Sequence, residues 1–233
     1  MEERLTIRNA ALVGFVLGTV VLGALALSLR YDLRYGRCSV CSRWGPFRRQ
    51  HASIREGYKC TYCSASLRYR HQASIIVAKY TTKRSKSFAE LAREPYFVGL
   101  SIYEPGIIGP FRRYLEAHPN YTTSYLWEGV EPGASHKGVR CENLESLTFA
   151  NDTFDLVISS DIFEHVRKPY LAFAEIHRVL KPRGMAHIHR ASVLAAEAAY
   201  GAQGRHEGRR RCFVTSRDLP WFSDRSEGEP GIY

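Results

Sequence analysis

Residues 140–189, RCENLESLTFANDTFDLVISSDIFEHVRKPYLAFAEIHRVLKPRGMAHIH, hold the pattern around which the rest of the chain is organised. The run Phe154-Asp155-Leu156-Val157-Ile158-Ser159-Ser160 is short, apolar and β-branched, bounded by Asn151-Asp152-Thr153 and Asp161, as a strand buried on both faces would be. Tyr170 to Leu180 then sets Leu171, Ala174, Ile176, Val179 and Leu180 at helical spacing and leaves Glu175, His177 and Arg178 for the wet side. Pro169 suits the first turn of that helix, and Lys181-Pro182-Arg183-Gly184 stops it. Met185 to His189 reads as the next strand. Strand, helix and strand in so few residues require a right-handed crossover, so the stretch is a parallel α/β unit.

Two pieces of this unit, LTFANDTFDLVISSDIFEHV at 147–166 and AFAEIHRVLKPRG at 172–184, resemble the back half of the catalytic domain of class I S-adenosylmethionine-dependent methyltransferases of the type-11 group. The resemblance implies a Rossmann-like parallel sheet over residues 96–190 and S-adenosyl-L-methionine as methyl donor. In similar proteins the acceptors are small molecules or glycans. Methyl transfer in this family is an in-line displacement from a sulfonium, in which much of the catalysis is alignment. His165, after the central strand, is a weak candidate base beside a capping or packing role, and Asp161 is a candidate helix cap.

Upstream, Tyr96 to Glu104, YFVGLSIYE, reads as the first strand of this domain. It runs into Glu104-Pro105-Gly106-Ile107-Ile108-Gly109-Pro110, with a helix expected from Phe111 to Ala117. A carboxylate at a strand end followed by glycines and a helix is where Rossmann-like folds hold a nucleoside-bearing cofactor. Glu104, Gly106 and Gly109 are therefore the cofactor-binding candidates; a structural turn needing two glycines would look the same. Thr122 to Trp127 is the expected second strand and Glu131 to Ser135 a loop. Many relatives end this strand in an acidic residue for the ribose, whereas here Ser124-Tyr125-Leu126-Trp127 stands there, with Glu128 just beyond. By position Glu142 and Asn143 resemble the adenine-binding end of the third strand, and a local cap at Asn143 is the competing reading.

The N-terminal part has a different character. After a polar lead over 1–9, residues 10–29, AALVGFVLGTVVLGALALSL, carry no charge over a length that matches the hydrocarbon core of a bilayer, and read as a transmembrane helix. Arg30, Arg34, Arg37 and Arg43 follow it, which places the remainder on the cytoplasmic side. A cleaved signal peptide ending near Ala24-Leu25-Ala26 is the alternative. Cys38-Ser39-Val40-Cys41 and Cys60-Thr61-Tyr62-Cys63 have the paired CxxC spacing of a tetrahedral structural zinc site, within a ribbon over 36–72. Two disulfides are the alternative in an oxidising compartment. Ser66-Leu67-Arg68-Tyr69-Arg70-His71-Gln72 resembles the zinc-ribbon leader of some bacterial type-11 methyltransferases. Residues 73–95 read as a helical and basic linker, with a helix from Ser74 to Tyr80 and Thr81 to Ser87 as its basic part.

Composition bounds these readings. Apolar content of 45% and charged content of 24% exclude wholesale disorder. The net charge of +10 is concentrated: from Arg30 to Arg93, 15 Lys or Arg stand against Asp32, Glu56 and Glu90, a local balance of +12. Such a segment favours an anionic partner, whether membrane lipid, nucleic acid or a charged glycan, although a merely solvated basic face gives the same count.

Past His189 a complete domain of this class continues with a helix and an antiparallel strand pair. Residues 191–233 are instead an Arg/Gly/Ala-rich tail with no clear alternation after Cys212-Phe213-Val214, as a truncated or altered C-terminus would be. The expected protein is a membrane-anchored zinc ribbon joined to a methyltransferase domain. RNA methylation and an inactive cofactor-binding or membrane scaffold are the rival functions.

Overall fold

The computed structural model describes residues 13–23, 25–26, 32–54, 56–189 and 212–215. Residues 13–23 are helical (α1), as are 25 and 26, and the side chains described there are exposed. No helix among the described residues is long and apolar enough to cross a membrane. The remainder of the 10–29 segment lies outside the described residues.

The chain forms two compact units, one of residues 1–75 with 86–89 and one of 76–85 with 90–233. In the first, β1 (Leu33–Arg37), β2 (Trp44–Arg48) and β3 (Lys59–Cys60) form an antiparallel sheet in the order β1-β2-β3. Gly36 and Gly45 face each other across β1 and β2, and both are needed. A Cβ on Gly36 would stand 3.2 Å from the Phe47 ring, and one on Gly45 would stand 2.5 Å from that of Tyr62. Helix α2 spans Leu67–Tyr80, so it starts well before the expected Ser74, and the short helix α3 spans Phe88–Leu91.

The second unit is built on a seven-stranded sheet in the order β10-β9-β8-β4-β5-β7-β6, where β4 is Ile102–Pro105, β5 Tyr121–Tyr125, β6 Ser135–His136, β7 Val139–Cys141, β8 Phe154–Ser160, β9 Leu180–His189 and β10 Cys212–Thr215. All pairings are parallel except β6 with β7. From β7 to β9 the parallel strands run 3-2-1-4-5 in chain order, the Rossmann-like arrangement, and the switch point lies between β4 and β8. At the edge the structure departs from expectation. Within the 191–233 stretch, read as an Arg/Gly/Ala-rich tail, Cys212–Thr215 forms β10 and pairs in parallel with β9, and the rest of that stretch lies outside the described residues.

The core forms around β8 and α6 (Pro169–Val179), where Tyr103, Phe154, Val157, Phe163, Phe173, Ile176 and Val179 cluster. The helix buries Ala172, Phe173, Ile176 and Val179, while Leu171 and Ala174 are only half-buried. The buried face is thus rotated from the expected one, because Phe173 packs against Phe163 with the ring centroids 4.7 Å apart and the planes tilted by 39°. Glu175 and Arg178 are not left to water. Glu175 accepts from the Leu147 amide at 2.8 Å, and Arg178 donates to the carbonyls of Leu147 and Phe149 and to Asn151 Oδ1. The motif's Glu and Arg therefore fasten the loop that feeds β8.

Two further expectations change. Strand β9 begins at Leu180, which pairs with Phe154, and the Lys181–Gly184 stop lies inside it as an irregularity with Arg183 at φ 69°. The expected strand over 96–104 is shortened to β4, because Pro95 starts a turn of helix, α4 (Pro95–Val98), that buries Phe97. The Thr81–Ser87 linker is also tied down. The buried Glu94 carboxylate accepts from the hydroxyls of Thr81, Thr82 and Ser85 and from the Thr82 amide, all at 2.6 or 2.7 Å. Burial pushes this carboxyl up, but the four donors outweigh it and hold it at about 2.

Candidate functional site

The C-terminal rim of the parallel strands carries the cofactor candidates. Glu104, near the end of β4, pairs with Thr123, so Thr123 and, two residues back, Tyr121 share its face of the sheet. Tyr121 Oη accordingly donates to Glu104 Oε2 at 2.7 Å. Burial pushes the Glu104 carboxyl up to about 7, against the lowering effects of this hydrogen bond and of Arg112.

The two glycines of the loop do separate jobs. Gly106 takes φ +101°, its amide donates to the Ser124 carbonyl at 2.8 Å, and its carbonyl accepts from the Thr123 hydroxyl. A Cβ on Gly109 would stand 3.1 Å from Glu104 Oε1, so the loop passes directly over the carboxyl. The expected helix over 111–117 shrinks to one turn, α5 (Arg112–Leu115). One turn brings little dipole to the site, and the positive charge near Glu104 comes from Arg112.

At the end of β5 the ring centroids of Tyr125 and Trp127 lie 4.7 Å apart, and those of Trp127 and His136 lie 4.9 Å apart. Trp127 Nε1 is buried without a hydrogen-bond partner among the described residues. Glu128 is exposed. An aromatic cluster thus stands where many relatives have an acid. Only the aromatic run at 125–127 signalled it, because His136 arrives through the β6–β7 hairpin.

Glu142 and Asn143 follow β7 on the same rim as Glu104, with β5 between them. Glu142 Oε1 pairs with Arg140 Nε at 2.6 Å and its Oε2 accepts from the Thr148 amide at 2.9 Å, while the side chain is fully buried. Asn143 Oδ1 accepts from the Glu145 amide at 3.0 Å, an Asx turn, which is the local role. His165 lies in a single 3-10 turn (Phe163–His165) with its side chain 76% exposed, 3.7 Å from Glu164. Asp161 takes positive φ (54°) just ahead of the turn, whose N-cap is Ile162, and the N-cap of α6 is Lys168.

In the ribbon, Cys38, Cys41, Cys60 and Cys63 bring their sulfurs within 4.8 Å of one another. The Cys38–Cys63 and Cys41–Cys60 separations are 3.6 and 3.8 Å, and all four thiols are free. Four sulfurs about 2.3 Å from a tetrahedral zinc would stand about 3.8 Å apart, so the donor set fits that ion and not a disulfide pair. The two knuckles are alike in backbone. The Ser42 amide donates to the Cys38 carbonyl and the Ser64 amide to that of Cys60, with Ser42 and Ser64 both at positive φ. The contact between the two thiols lowers that of Cys38 and raises that of Cys63, so the first proton to leave this pair comes from Cys38. The Arg70 guanidinium, 3.7 Å from the centre of the Phe47 ring and bonded to the Tyr58 carbonyl, supplies positive charge near Cys38, Cys60 and Cys63.

Residues 120–188 match the family described as "Methyltransferase domain". Among curated proteins, the chain is 36% identical to an uncharacterized methyltransferase of Mycobacterium marinum (strain ATCC BAA-535 / M), over 34% of this chain and 33% of that protein. It is 33% identical to one of Mycobacterium avium (strain 104), over 41% and 35%. The chain thus spans about a third of the length of these relatives. Solved structures with local likeness include the trans-methyltransferase CalH with SAH (TM-score 0.31, 17% identity, 42% of this chain and 33% of that one) and the [4+2]-cyclase SpnF (TM-score 0.34, 20% identity, 57% and 49%). The family match and the curated relatives support a methyltransferase domain.

Proposed function

We propose that the chain is an S-adenosylmethionine-dependent methyltransferase for a small-molecule or glycan acceptor, held at the cytoplasmic face of a membrane by its 10–29 segment and stabilised by zinc on its four ribbon cysteines. The observation that carries this reading is the convergence of the methyltransferase match over 120–188 with a buried acid and two glycines at the switch point of the sheet. S-adenosylmethionine would supply an electrophilic methyl group on a sulfonium. Glu104 would accept hydrogen bonds from the ligand, and Gly106 and Gly109 would let the backbone approach it. Glu142 and Asn143 would shape the adenine edge through the backbone of their turn. His165 is too exposed to be given a proton-transfer step.

Calorimetry with S-adenosylmethionine and S-adenosylhomocysteine tests this. Micromolar binding that Glu104→Gln weakens by at least tenfold is expected, and absence of binding to the intact chain overturns it. Two observations favour other readings. The exposed aromatics and net charge of the ribbon favour RNA as acceptor, which would appear as RNA binding that falls steeply with salt. The engagement of Glu104 by Tyr121 and of Glu142 by Arg140 favours an inactive scaffold, which would bind neither nucleoside.

A further inference from the structure

The ribbon sheet has two unlike faces. Gly36, Gly45 and Phe47 point to the side that Tyr62 and Arg70 cover. Strand register puts Leu33 opposite Arg48, Tyr35 opposite Pro46, Arg37 opposite Trp44 and Arg48 opposite Lys59, so these residues share the other side. There Trp44 is 71% and Tyr35 60% exposed, with Arg37 and Arg48 also exposed. The three strands, LRYGR, WGPFR and KC, contain no acid. Asp32 pairs with Arg49 and Glu56 with Arg68, both at 3.2 Å, and Arg37 donates to Ser42 Oγ at 2.6 Å while staying exposed. One face therefore presents two large amphipathic rings amid three cations.

We propose that this face docks on an anionic lipid surface, with Trp44 and Tyr35 at headgroup depth and Arg37, Arg48 and Lys59 against lipid phosphates. Two observations select lipid. Indole and phenol rings flanked by basic side chains match the chemistry of the interfacial zone, where apolar and charged surroundings meet. The uncharged 10–29 stretch ends four residues before β1, so Leu33 lies within about 14 Å of Leu29 even in a fully extended chain. The proposal rests on the membrane location given above and is independent of the methyl-transfer reading.

The test uses the full chain with phosphatidylcholine vesicles and with vesicles rich in phosphatidylglycerol, following tryptophan emission and its quenching by iodide. A blue shift and protection from iodide in the anionic vesicles alone, both absent in Trp44→Phe, are expected. Arg37→Ser, Arg48→Ser and Lys59→Ser together should weaken the anionic contribution on the order of 100-fold, roughly a factor of five for each basic side chain. Association with both vesicle types while Trp44 stays open to iodide overturns the docking face and leaves the anchor standing. Association with neither overturns both. Protection of Trp44 by single-stranded RNA but not by anionic vesicles overturns lipid in favour of nucleic acid.

Discussion

At Glu104 the chain keeps a carboxyl where water cannot solvate its charge, and the consequence is measurable. Its folded pKa of about 7 lies above the ordinary 4.5, so the protonated form is the one that folding favours. The stability this gives is complete below about pH 4.5 and is lost as pH rises through 7, a loss of roughly 3 kcal/mol for a shift of this size. Glu104→Gln should remove that slope: urea midpoints should match the parent near pH 5 and exceed it at pH 8. The same substitution should weaken nucleoside binding, and a variant that gains stability while losing its ligand marks a residue kept for function. Gly109→Ala is expected to act through the same carboxyl, since its Cβ would stand 3.1 Å from Oε1 and displace it, with a loss of ligand affinity seen by calorimetry. Arg178 belongs to the opposite category. Arg178→Lys cannot reproduce a fork that reaches Leu147, Phe149, Asn151 and Glu175 together, and should lower stability by about 2 to 3 kcal/mol in urea unfolding.

Elements differed in how plainly they could be read. Strand β8 and helix α6 were visible because a short run centred on Leu156-Val157-Ile158 between turn residues and a proline at the first helical position admit few alternatives. The helix turn at 95–98 was hidden because Tyr96-Phe97-Val98 has strand-like composition, and only burial of Phe97 against the rings of Tyr80 and His118 decides against a strand. The 81–87 segment looked like a loose basic linker because its organiser, Glu94, stands 7 to 13 residues away and gives no local signal. Glu94→Ala leaves three hydroxyls and an amide without their acceptor and should lower stability by about 2 to 4 kcal/mol. Because this carboxyl lies near 2 when folded, its contribution is full above about pH 4.5 and fades as pH falls toward 2. The knuckles were legible from spacing alone. Chelation should release zinc measurable with a colorimetric dye and unfold the ribbon, seen as loss of amide protection over residues 38–63.

For the whole molecule, one strand-helix-strand unit and the handedness rule fixed a parallel α/β unit, while the place of the acid and its glycines at the rim of the sheet was what the resemblance to class I methyltransferases implied. The partners that occupy those groups could not. Tyr121 reaches Glu104, and Arg140 with Thr148 claims Glu142, through pairings set only once the strands are aligned. The aromatic cluster of Tyr125, Trp127 and His136 likewise needs the hairpin to bring its third ring.

The burial of Glu104 also has a calorimetric signature. A sulfonium-bearing ligand arriving beside a carboxyl that is about half protonated at neutral pH drives that proton into the buffer, whereas the uncharged thioether product does not. Apparent binding heats for the two ligands should therefore diverge between phosphate and Tris, whose ionisation enthalpies differ, and converge again at pH 9, where no proton remains to be expelled.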